Sequence, residues 1–311
     1  MNKIERVDAV LQGKSPDYAP ISCWYHFGLQ FLPGEKFADI VLSYFKNYDY
    51  DWLKVMNDYF YPMPAGMDAL KTAEDLKKIT VFDIDNSPFA EQLKAIEIIA
   101  KELKGKAYFC DTIFDPYQAL QKSPVGEHLP RLMKEEPDAV LDALDVVSDN
   151  IIAYAKRTLQ AGTHGIFMSV LAGSDQMSRD DFLKFEKPFA MKVFQAVKDM
   201  GAMNTAHLHG KNVDITNCLD FPVSVFSWED RLSGNISLAD MKDKWGGCVM
   251  GGLDNTIMTR RTPEALMEHT REGMKLGGES RFFLANGCST PGHMDPLALK
   301  AMVDVAQGKI K

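Results

Sequence analysis

Residues 165–209, GIFMSVLAGSDQMSRDDFLKFEKPFAMKVFQAVKDMGAMNTAHLH, decide the fold. The apolar run 165–170 has the length and aliphatic character of a buried strand, and 202–207 is a second such run. Between them, 179–200 carries apolar residues at helical spacing. Ser178 ahead of Asp180 and Asp181 supplies the helix start, and Gly201 supplies its stop. Strand, helix and strand at this spacing form a βαβ unit, whose strands run parallel with a right-handed crossover.

The pattern repeats outward in both directions. Short strand-like runs occur at 18–25, 51–56, 107–110, 165–170, 202–207, 221–227, 248–253 and 281–285. Amphipathic helical stretches at 88–103, 138–161, 179–200 and 263–276 lie among the connecting segments. Thr262-Pro263-Glu264 puts a capping hydroxyl, a first-turn proline and an acid in order, while Gly105, Gly162, Gly277 and Gly278 follow the last periodic residues. Eight strands alternating with helices predict a (β/α)8 TIM barrel, and 311 residues suit one such barrel as a single domain over 1–311. No linker rich in Pro, Gly or Ser and no internal repeat interrupts the series. The rival is a doubly wound open sheet with a nucleotide site. It lacks its fingerprint: no GxGxxG follows the first strand, and Gly13-Lys14-Ser15 has no glycine upstream to make a phosphate loop.

Composition narrows the function. A hydrophobic fraction of 46% with 25% charged residues is ordinary for a folded globular chain. The net charge of −8 without a basic tract argues against a nucleic-acid partner. The longest apolar runs span only a few residues, so no membrane-spanning helix is expected. The first residues are charged (Lys3, Glu5, Arg6, Asp8) without an apolar leader core, which predicts a cytoplasmic protein. The five cysteines form no CxxC pair. Cys23, Cys110 and Cys248 on strands, and Cys218 in a helix after His209, read as buried core thiols.

In a barrel the chemistry collects at the C-terminal ends of the strands. The residues there are His26; Asn57 and Asp58; Asp111; Ser169; His207 and His209; Glu229 and Asp230; Asp254 and Asn255; and Asn286 with Cys288. Helix starts alone would supply Ser, Asp and Asn, but not a His-x-His, a Glu and a Cys on three late strands. On extended backbone, residues two apart point to the same side, so His207 and His209 can converge on one ion. A lone His-x-His is more often one core histidine and one solvated one. With Glu229 and Cys288 at later strand ends, two imidazoles, a carboxylate and a thiolate complete a four-coordinate zinc set, and the metal reading is preferred. His164, ahead of a strand, reads as structural; His128 and His269 read as solvated, and His293, in a loop near Cys288, as a surface histidine in preference to one that supports the metal or substrate. Asp58 is either a general base, a substrate anchor or a turn-capping carboxylate. Trp24, Tyr25, Phe27, Tyr59, Phe60 and Tyr61 either line the mouth or belong to the core.

Three stretches resemble the uroporphyrinogen decarboxylase superfamily: Glu5-Arg6-Val7 through Pro20, Phe182-Leu183-Lys184-Phe185 with Pro188, and Gly251-Gly252-Leu253-Asp254-Asn255. That superfamily has two main branches, porphyrinogen decarboxylases and zinc-dependent methyltransferases that work with corrinoid proteins. His207-Leu208-His209-Gly210-Lys211-Asn212 is similar to the methyltransferases' His-x-Cys-Gly-x segment. Ser227-Trp228-Glu229-Asp230 is similar to their acidic strand end, and Asn286 through Gly292 to their Gly-Cys-x-x-x-Pro-Gly ending. The resemblance spans nearly the whole chain, is firmest from Ala161 onward, and implies a TIM barrel. Two departures stand out. The decarboxylases carry an arginine-rich segment after the first strand that pairs with substrate carboxylates; here 23–28 contains none. The methyltransferase cysteine is replaced by His209.

The expectation is a zinc methyltransferase that moves a methyl group between a small methyl ether, methanol-like molecule or thiol and a corrinoid protein, with O-demethylation favoured. His207, His209 and Cys288 hold the metal and Glu229 is a displaceable fourth ligand. Asp58 and His26 are the catalytic candidates, and Asp254 a substrate-positioning one. No Asp-x-His-x-x-Gly segment occurs, so cobalamin is expected from the partner protein. A decarboxylase-like lyase and a non-catalytic metal-binding barrel are the alternatives.

Overall fold

Strands buried on both faces read as near-continuous apolar runs, and those runs here form one parallel sheet. The computed structural model describes residues 1–29, 31–123 and 126–310. Its strands are β1 (Ile21–Ser22), β2 (Trp52–Val55), β3 (Tyr108–Phe114), β4 (Ile166–Leu171), β5 (Thr205–His209), β6 (Val225–Trp228), β7 (Cys248–Leu253) and β8 (Phe282–Asn286). Neighbours in sequence pair in parallel from β2 to β8, and β1 pairs with β8, so the sheet curls into a nearly closed barrel. At the seam between β1 and β2, the Asp51 amide donates to the Ile21 carbonyl at 3.0 Å. The TIM-barrel expectation holds.

Alternate strand residues divide the core. Trp52, Cys110, Phe167, Val225, Met250 and Phe283 point into the barrel, while Phe109, Met168, Leu208, Phe226 and Leu284 pack against the surrounding helices. The helix Lys3–Leu11 closes the N-terminal end with Val7 and Val10. Beside it the buried Arg6 guanidinium binds Asp17 at 2.7 Å and Asp51 at 2.8 Å. The Glu5-Arg6-Val7 stretch thus serves the floor of the barrel, opposite the mouth.

Several boundaries differ from the sequence expectation, and β6 begins at Val225 instead of 221. β1 is two residues long because the Asn286 side chain, not a strand, binds both the amide and the carbonyl of Trp24 (3.3 and 3.2 Å). β3 runs on through Asp111 and Thr112, whose polar groups are satisfied internally. β5 starts later and ends later, at His209, because the Asn204 side chain first bonds Ile166 and Val197. The stretch 179–200 is not one α-helix: a π-helical turn, Phe182–Glu186, precedes Lys187–Val197. Pro188 explains it, since its ring clashes with the carbonyl four residues back and it has no N–H to donate. Cys218 follows the short 3-10 turn Ile215–Asn217 instead of lying inside a helix, and like Cys23, Cys110 and Cys248 it is buried. Among the described residues no helix is long and apolar enough to cross a membrane.

Candidate active site

β5 brings His207 and His209 to the mouth on the same side of the strand. His207 pairs in register with Ser169 on β4 and Ser227 on β6. The two imidazole centroids lie 5.9 Å apart, and Phe167 stacks on His207 at 5.6 Å. The strand ends in a clamp: the His209 carbonyl accepts the amides of Ala172 and Gly173, both at 3.0 Å. Gly210 follows at φ +121°, and a Cβ there would come within 2.6 Å of the Gly173 Cα, so only glycine fits.

Cys288 reaches the same place from β8. Asn286 holds its carbonyl at 2.5 Å and Asn255 accepts its amide at 3.2 Å. Gly287 lets this turn pass close to β6, where a Cβ would lie 2.9 Å from the Glu229 Cα. The ligand atoms of His207, His209 and Cys288 all fall within 4.8 Å of one another.

The electrostatics suit a cation. Burial pushes the His207 imidazole well below its ordinary value, helped by His209 and Lys54; burial and Lys122 lower His209. Both rings are therefore neutral near pH 7, the form that binds metal. The Ser227 hydroxyl engages His207 Nδ1 at 3.2 Å, which orients the ring and leaves Nε2 for an ion. Burial, then the Glu229 charge, raises the Cys288 thiol, so a cation must displace its proton.

The remaining predicted residues fall in different places. Glu229 lies outside that cluster; its carboxyl, raised by burial, bonds Asn255 and so braces the Cys288 amide. His26 Nδ1 and Asp58 Oδ1 are 2.5 Å apart, and Asp58 Oδ2 accepts the Gly28 amide at 3.0 Å. Burial raises the Asp58 carboxyl, but His26 and Gly28 outweigh it and leave it below the usual range. Asp254 spends its carboxylate on the Thr256 amide and hydroxyl. Asp230 accepts the Gly252 amide at 2.8 Å, and burial holds its carboxyl at about 6. Asp111 lies behind the mouth, bonded by Tyr154 (2.6 Å) and Gln92 (3.0 Å), where burial pushes it to about 7.

His269 is not solvated. It is buried, and its Nε2 accepts the Asp254 amide at 2.9 Å. His293 is exposed. His164 stacks on Tyr108 at 4.3 Å and takes the Phe109 amide on Nδ1.

Two adjoining cavities open at the mouth. The smaller, about 220 Å³, is lined by His207, His209, Cys288, Lys54, Trp24 and Phe167, among others. The larger, about 410 Å³, is walled by Phe27, Tyr59, Phe60, Tyr61, Phe89 and Tyr154, with Asn57 and Asp58. His26, Phe114 and Lys122 border both. Four of the six aromatic residues expected at the mouth line the larger space; Trp24 lines the smaller, and Tyr25 packs on Phe27 and Tyr44. Sequence reasoning missed Lys54, and its one signal was a lysine inside the apolar run Trp52-Leu53-Lys54-Val55-Met56.

Comparison with known proteins bears on this arrangement. The family model described as Uroporphyrinogen decarboxylase (URO-D) matches residues 61–308. The Methylcobamide:CoM methyltransferase MtbA of Methanosarcina mazei is 22% identical over 242 residues, which cover 77% of this chain and 69% of that protein. Among solved structures, a methyltransferase from Methanosarcina mazei superposes with a TM-score of 0.82 at 17% identity, covering 99% of each chain. A putative vitamin-B12 independent methionine synthase from Listeria monocytogenes gives 0.56 at 11%, covering 89% and 87%. The structural likenesses concern the fold.

Proposed function

The chain belongs to the uroporphyrinogen decarboxylase family, and within it we propose a cytoplasmic, zinc-dependent methyltransferase that passes a methyl group from a small methyl ether to a corrinoid protein. The observation that carries this reading is the convergence of His207, His209 and Cys288 on the wall of a cavity continuous with an aromatic chamber. The kinship with a methylcobamide methyltransferase supports it.

The donor set fits zinc: two neutral imidazoles and a thiol that would ionise on binding supply three ligands. Glu229, whose carboxyl bonds Asn255, would be a fourth ligand that substrate can displace. Zinc held there would supply Lewis acidity toward an ether oxygen. The aromatic walls of Tyr59, Phe60 and Tyr61 hold the apolar body of the substrate and exclude water. Asp58 holds His26 by Nδ1, so that in its imidazolium form the ring would present Nε2–H to protonate the oxygen from which the methyl group departs. The corrinoid, brought by a partner protein, accepts the methyl group.

Against decarboxylation of a porphyrinogen, no arginine among the described residues lines either cavity, so the bidentate clamps for a polycarboxylate are missing there. The test mixes zinc-loaded protein with a reduced corrinoid carrier protein and a phenyl methyl ether. The reading expects a phenol and a methylated corrinoid in equal amounts. Methylation of a thiol from methylcobalamin, with no ether cleavage, would reverse the proposed direction; the absence of both reactions would remove the methyltransferase reading.

A further inference from the structure

Lys54 is the one charged side chain on β2, and it is buried, only 5% exposed, against the cavity that carries the His–His–Cys cluster. Its Nζ donates to the Met56 thioether at 2.8 Å and sits over the rings of Phe167 (4.5 Å) and Trp24 (5.1 Å). Among the described residues no carboxylate forms a salt bridge with it. The main negative charges that reach it are those of Cys288, one of the proposed metal ligands, and of two carboxylates engaged elsewhere: Asp58 by His26, and Asp111 by Tyr154 and Gln92. A thioether and two ring faces are weak partners for a cation taken out of water. Burial accordingly lowers the Lys54 ammonium to about 7, with the negative groups around it opposing the shift. A second cation, Lys122, borders the same cavity and also lacks a salt bridge among the described residues.

We propose that Lys54 is the seat of a carboxylate on the methyl-bearing substrate. This deepens the methyltransferase reading and rests on it for the methyl group, but not for the anion. A carboxylate entering the cavity would give Lys54 the charge-assisted hydrogen bond it lacks, in a setting dry enough to make that bond strong. The cavity holds only about 220 Å³, and Lys54 lines it together with the proposed metal ligands. A substrate whose carboxylate stands beside its methyl-bearing oxygen, as in an ortho-methoxy aryl acid, would present both to this one cavity, with the ring directed into the aromatic chamber. An acid whose methoxy group lies across the ring would carry one of the two groups out of the shared cavity.

The experiment titrates zinc-loaded protein with 2-methoxybenzoate, its amide and 4-methoxybenzoate, following the fluorescence of the tryptophans, of which Trp24 lies beside Lys54. Wild type is expected to bind 2-methoxybenzoate at least tenfold more tightly than the amide or the 4-isomer. Lys54→Met should abolish that preference while leaving affinity for the amide within threefold, and Lys54→Arg should retain part of it. Circular dichroism checks that each variant is folded, and the acid–amide comparison in wild type needs no variant. Equal binding of acid and amide, no binding of the acid, or a preference that survives Lys54→Met would overturn the proposal. The two readings fail separately. Turnover of the amide as fast as the acid would remove the carboxylate seat and keep the methyltransferase. Lys54-dependent binding of the acid without transfer from any methyl donor would keep the seat and remove the methyltransferase.

Discussion

Cys288 Sγ lies 3.7 Å from His209 Nδ1, although 79 residues separate them in the chain. The barrel makes the meeting possible, because β5 and β8 both end at the same rim. Two polar side chains and a glycine turn then set it: Asn286 and Asn255 grip the backbone of Cys288, and the Gly210 turn lets β5 end in the clamp on its His209 carbonyl.

That relationship predicts about one zinc per chain. His207→Ala and Cys288→Ala should each empty the site with the barrel still folded, since both residues sit above a core packed separately below them. Glu229→Gln should weaken zinc less, by roughly the 10–100-fold typical of residues that brace a ligand. Metal analysis after dialysis, read beside circular dichroism, decides it. Full occupancy in both alanine variants would remove these residues from the site.

The absence of arginine at 23–28 and along both cavities predicts no decarboxylation of uroporphyrinogen. A lysine binds a carboxylate as a point charge, without the planar fork that fixes a polyacid. Chromatography of porphyrins after incubation should show only starting material. Coproporphyrinogen formed at an enzymatic rate would contradict this and give Asp58 a different role.

A pH effect follows from Asp115 and Glu186, two fully buried carboxyls beneath the mouth. Burial raises both, and the Asp115 charge raises Glu186 further. The pair is held by the Gln118 side chain at 2.6 Å on Asp115 and the Leu171 amide at 2.7 Å on Glu186. Above the ordinary carboxyl value of about 4.3, the folded protein therefore binds more protons here than the unfolded chain does, so stability falls as pH rises. Glu186→Gln keeps the acceptor for Leu171 and adds a donor toward Asp115. Its melting temperature should vary less between pH 5 and pH 9 than that of wild type, and exceed it at pH 9. Parallel curves for the two proteins would show that Glu186 does not carry this pH dependence.

The alternation of strands and helices was legible because each run is buried on both faces, and the His-x-His was legible because strand geometry sends alternate residues one way. The misses share a cause: a polar residue whose partner is distant in sequence. Lys54 looks like a solvent-facing interruption until both faces of β2 are seen to be covered. His269 sits in a polar helical stretch, yet its Nε2 satisfies the Asp254 amide. β1 stops early because an asparagine from β8 supplies its next partner. None of these pairings leaves a periodic trace.

The last prediction turns on His209, which stands where the related methyltransferase segment has cysteine. A neutral imidazole in place of a thiolate leaves the donor set one unit less negative, which strengthens a bound zinc as a Lewis acid and weakens its support for a nucleophilic sulfur. His209→Cys should restore the electron-rich set, because the strand and the Gly210 clamp that aim the side chain are backbone features unaffected by the change. The variant is expected to bind zinc, to lose at least tenfold in ether cleavage, and to gain methylation of a thiol from methylcobalamin. Zinc content and circular dichroism establish that the site is loaded and the barrel intact before the two rates are compared. A loaded variant that cleaves the ether as fast as wild type, with no thiol methylation, would show that the residue at position 209 does not set the direction of transfer.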